Sequence, residues 1–63
     1  MKDFTEKQAA AWVAQELAKH TTPESRRQRI ASQEFMLAKA TGDFPVATAA
    51  GALLISKLRE AGI

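Results

Sequence analysis

The chain has no cysteine and a single histidine, His20, so neither a disulfide nor a Cys/His zinc site is available to hold it together. It has no tyrosine, one tryptophan and three phenylalanines, and no β-branched alternation that would set aromatic rings on a strand surface for single-stranded RNA. Glycine occurs three times and proline twice, too sparsely for a flexible linker or a low-complexity segment. The phosphate-binding pattern G-x-x-x-x-G-K-[ST] is absent. The longest uncharged run, Phe44 to Ser56, is thirteen residues, short of the roughly 20 that cross a bilayer. The opening "MKDFTEKQ" carries acids and lacks the apolar stretch of a secretory signal, so a soluble, cytoplasmic protein is expected.

What remains is a short, alanine-rich chain. Sixty-three residues bound a single small helical domain, residues 1–63, close to the size below which one core cannot hold a chain unaided. With disulfides and zinc excluded, oligomerisation is the remaining common support. Apolar residues make up 46% of the sequence, enough to fold. Thirteen of them are alanine, which favours helix strongly but buries little area. Helices should therefore form readily around a thin core. The net charge is only +2, a weaker basic footprint than a dedicated nucleic-acid binder shows.

Two punctuation marks divide the chain into three helices. Thr5 and Gln8 form a capping box before a first helix reaching to about residue 20. Ala9, Ala10, Val13 and Leu17 share one arc of it, with Trp12 at the edge. In "HTTPES", Thr22 is an N-cap, Pro23 takes the first helical position and Glu24 meets the positive helix end, starting a helix over about 22–40. In "TGDFP", Gly42 suits a left-handed C′ position, and Pro45 pushes Phe44 out of helical geometry before a third helix over about 45–61, with Asp43 near its positive end. Val46, Ala47, Ala50, Leu53, Leu54, Leu58 and Ala61 form one broad apolar stripe, widened by Ile55. Gly51, four residues after Ala47, offers a smooth patch where another helix can come close. The expected architecture is an all-α three-helix unit assembled as a helical homodimer.

The one charge run is "ESRRQR", which places Arg26, Arg27 and Arg29 at the front of the second helix. On a helical wheel the apolar arc of that helix runs from Leu37 through Ile30, Ala38 and Ala31 to Phe35. Arg27 falls within that arc and Arg26 at its edge, whereas Arg29 joins the polar side with Ser25, Gln28 and Ser32. Arginines at such an edge lay their stems along the core and carry the guanidinium to water or to an acid. Glu34 lies in the middle of the same arc, where a carboxylate needs a partner. An antiparallel pairing of this helix with its copy would set Arg27 against the partner's Glu34, the reciprocal contact that a two-fold dimer requires. The candidate interface residues are accordingly Trp12, Arg26, Arg27, Ile30, Glu34, Phe35, Leu37, Gly51 and Leu54.

An alternative is a nucleic-acid-binding accessory protein, in which Ser25, Arg26, Arg27, Gln28, Arg29 and Ser32, continued by Gln33, touch phosphates and base edges. The spacing about Gly42 does not follow a helix-turn-helix, however, because Thr48 and Gly51 fall where apolar packing residues belong. His20 and Glu16, four apart, make a two-member set where a metal needs three or four ligands and catalysis needs a third group. Asp3, Glu6 and Asp43 each have a capping or helix-dipole role open to them. No cofactor, metal, small-molecule substrate or membrane partner is expected. The sequence points to a non-enzymatic regulatory protein acting through protein–protein contacts.

Overall fold

Thr5 accepts a hydrogen bond from the Gln8 backbone N–H at 3.1 Å while the Gln8 side chain accepts from the Thr5 N–H at 3.0 Å. This reciprocal capping box starts α1, Glu6–Lys19. In the computed structural model, which describes residues 3–63, two further helices follow: α2, Pro23–Ala38, and α3, Pro45–Ala61. Thr22 caps α2 by accepting from Ser25 N–H at 3.1 Å, with Pro23 in its first turn. The described residues contain no strand, so the all-α, three-helix expectation holds.

Two local expectations are revised. The second helix stops at Ala38 rather than Ala40, because the N–H groups of Lys39 and Ala40 bond back three residues to Met36 and Leu37 and tighten the last turn. Gly42, with φ of 89°, therefore bends the connecting turn itself and does not occupy the C′ position. The start of α3 is the second revision. Phe44, at φ −131° and ψ 72°, offers no side-chain cap, and Asp43 instead accepts from the Thr41 hydroxyl at 2.7 Å. The free N–H groups of Val46 and Ala47 donate to the Asp3 carboxylate, at 2.7 and 3.0 Å, from the far end of the chain. Burial alone would raise the Asp3 carboxyl, but hydrogen bonds from the Val46, Phe4 and Ala47 N–H groups outweigh it and hold it below its ordinary value.

The third helix is the hub. It packs against both α1 and α2, whereas no Cα of α1 lies within 8 Å of one of α2. Leu54 and Leu58, at 0% exposure, are the largest fully buried side chains, surrounded by Ala9, Val13, Ile30, Ala50 and Ile55. Two fully enclosed leucines, with Trp12, Leu17, Leu37 and Val46 only partly covered around them, make the thin core that the alanine content implies. The molecule measures 33 × 24 × 15 Å along its principal axes.

Candidate interaction surface

The arginine cluster does not stay together. Arg26 is half-buried and donates to the Gly62 carbonyl at 2.8 Å and the Thr21 carbonyl at 3.2 Å, tying the end of α3 to the start of α2. Arg29, also half-buried, donates from Nε to Glu16 of α1 at 3.0 Å, and its guanidinium lies 5.8 Å from the centre of the Trp12 ring. Arg27 alone of the three points outward. Arg29, placed with the polar side by its position on the wheel, is thus a structural residue. Arg27, placed within the apolar arc, is solvent-exposed.

These contacts reveal which way α2 is turned. Its buried side is centred between Gln33 and Ile30, flanked by Arg26, Leu37 and Arg29, while Ala31, Ala38 and Phe35 face out. Gln33, read from the sequence as polar surface, is 6% exposed and sits over Gly51. A Cβ at Gly51 would overlap the Gln33 amide nitrogen, so the smooth patch on α3 serves a close approach within the chain. The Gln33 carbonyl oxygen is buried with no hydrogen-bond partner among the described residues. Glu34 is not a stranded carboxylate: it is exposed and accepts from Arg59 of α3 at 3.1 Å.

Glu16 is the one acid sealed into the fold among the described residues. Its carboxylate accepts from Lys19 Nζ and Arg29 Nε, both at 3.0 Å. The Lys19 hydrogen bond is the largest influence on it. Together with Arg29 it outweighs burial and holds the group below the ordinary glutamate value. This cluster bridges α1 and α2 where their backbones stand apart, and Trp12 and Phe4, with ring centres 6.4 Å apart, continue it along α1. His20, set against Glu16 in the sequence, instead shares a 2.6 Å hydrogen bond with Ser25 Oγ. Among the described residues no group of three His, Cys, Asp or Glu is placed to hold a metal ion.

The sequence-level candidates therefore fall into two sets. Ile30, Gly51 and Leu54 are buried, and Leu37 and Trp12 pack against the core; within one chain these hold the domain together. Arg27, Gln28, Ser32, Glu34 and Phe35 are outward. Phe35 is 63% exposed, with Lys39 Nζ 4.4 Å from its ring centre, and Met36 beside it is 58% exposed. A second apolar area lies where α3 meets α1. Leu53, assigned to the core stripe of the third helix, is 47% exposed at the rim of an open groove between α1 and α3, of about 210 Å³, lined by Ala10, Val13, Val46 and Ala49 with Glu6 at its edge. The signal for it was the width of that stripe, which is broader than one neighbouring helix can cover. No helix among the described residues is long and apolar enough to cross a membrane. No protein-family model, curated protein or solved structure matches the chain.

Proposed function

We propose that this is a small non-enzymatic regulatory accessory protein that works in the cytoplasm through protein–protein contacts, as a homodimer. One observation carries the reading: among the described residues Phe35, Met36 and Leu53 are about half exposed or more, while only Leu54 and Leu58 of the large side chains are fully enclosed. A domain this small gains stability by covering such side chains against another protein surface. The nucleic-acid reading draws less support, because Arg26 and Arg29 spend their guanidinium groups on Gly62, Thr21 and Glu16.

Light scattering on the purified protein at micromolar concentration tests the dimer directly; a folded species of monomer mass at every concentration refutes it. Titration with duplex DNA at two salt concentrations tests the alternative. A binder using three arginines on phosphate loses affinity steeply with salt, and the reading proposed here expects no saturable binding at either.

A further inference from the structure

We infer that the second copy docks through α3 and the adjoining α1/α3 groove, on a two-fold axis passing at Leu53, rather than through the arginine helix. The inference rests on the dimeric reading above and assigns it a face. Both α1 and α2 lie toward one side of α3, so the most apolar of the three helices has its opposite side bare, with Ala49, Ala52, Leu53 and Ser56 all exposed. Leu53 projects at the edge of that side, and the groove beside it is apolar except at Glu6. Surface and hollow are thus adjacent on one face, as a self-complementary contact requires.

The charges select the arrangement. In an antiparallel pairing of two α3 helices about Leu53, residues equidistant from Leu53 face one another, which sets Lys57 of each copy opposite Ala49 of the other. Ala49 lines the groove whose edge carries Glu6, so the partner's Lys57 arrives at the Glu6 carboxylate, and the reciprocal pair forms across the axis. Within one chain Lys57 makes only an exposed 3.7 Å contact to Glu60, a weak surface pair that leaves it free to turn. Sliding the register so that Ala49 faces Glu60 instead brings an acid to Glu6 and is repulsive.

The test is sedimentation equilibrium on the full chain, five single variants and one double variant, with helicity checked by circular dichroism. Leu53→Asp should abolish the dimer. Glu6→Lys and Lys57→Glu alone should each raise the dissociation constant about tenfold or more, and together they should return it close to wild type. Phe35→Glu and Arg27→Glu should leave it unchanged, and all five positions are surface residues whose replacement leaves the core intact. A dimer that persists in Leu53→Asp but breaks in Phe35→Glu overturns this face while the dimeric reading stands. A charge reversal that fails to restore the dimer overturns the register. A wild-type monomer overturns both.

Discussion

Replacing Gly51 by alanine should change the sign of its effect according to what stands at residue 33. Gly51 lies in the interior of α3, where alanine is better than glycine by about 1 kcal/mol on helix propensity alone. Against this stands the Gln33 side chain. The new Cβ would overlap its amide nitrogen and come within 3.2 Å of its Cδ and 3.4 Å of Leu37 Cδ2. The amide is a flexible end, but it is enclosed, so its displacement disturbs packed neighbours, at a cost of about 1–3 kcal/mol for an overfilled site. In the wild-type background the substitution should therefore be destabilising by up to about 2 kcal/mol. Gln33→Ala removes the obstacle and also the buried carbonyl oxygen that lacks a partner, a group that is itself unfavourable by about 1–3 kcal/mol. In the Gln33→Ala background, Gly51→Ala should stabilise by up to about 1 kcal/mol, a coupling of about 1–3 kcal/mol between the two sites. Urea unfolding followed by Trp12 fluorescence and far-ultraviolet circular dichroism, at one fixed protein concentration, measures all four corners of the cycle. The same stabilisation of about 1 kcal/mol in both backgrounds would refute the argument that α2 presses Gln33 onto Gly51.

Three further outcomes follow from the same packing. Leu54→Ala, at a site with no exposure, should cost about 2–5 kcal/mol out of the roughly 3–9 kcal/mol expected for a domain of this length, so the thermal midpoint should fall by about 8–40 °C. Arg29→Ala should destabilise by about 1–3 kcal/mol by leaving Glu16 short of a donor and should shift Trp12 emission, whereas Arg27→Ala should stay within about 0.5 kcal/mol; equal effects would contradict the different placements of the two arginines. Both Asp3 and Glu16 are held below their ordinary values of 3.8 and 4.5, so each contributes fully above those values and its contribution fades as pH falls through the depressed folded-state values. Asp3→Asn should flatten the acid side of the stability profile and lower the plateau near neutral pH, and an unchanged profile would mean that Asp3 does not cap α3.

The helices and the breaks between them were legible because their signals are local. Thr5 with Gln8, and Thr22 with Pro23, satisfy backbone groups within one turn of themselves, so sequence spacing alone locates them. The cap of α3 was not legible, since Asp3 reaches it across 43 positions and only the packing of α1 on α3 brings the two together. The orientation of α2 failed for a different reason. A wheel weighted by apolar character places the centre of the buried side near Arg27 and Glu34, roughly one residue step (about 100°) from where it lies. Phe35, Ala31 and Ala38 pull the expected face toward themselves, yet they remain outside. The observed face is built from Ile30 and Leu37 together with Gln33 and the stems of Arg26 and Arg29, the last three being residues that no hydropathy scale counts as core. Gln33 fits there because Gly51 opposite has no side chain, and the arginines fit because their stems are apolar and acceptors at Gly62, Thr21 and Glu16 take the charged ends. The same rotation that draws Arg26 and Arg29 inward carries Phe35 outward, so the loss of the basic patch and the gain of an exposed aromatic are one structural event. Returning Gln33 to the surface would expose Gly51 and release both arginines, which is why the sequence cannot present "ESRRQR" as a basic surface and keep this core.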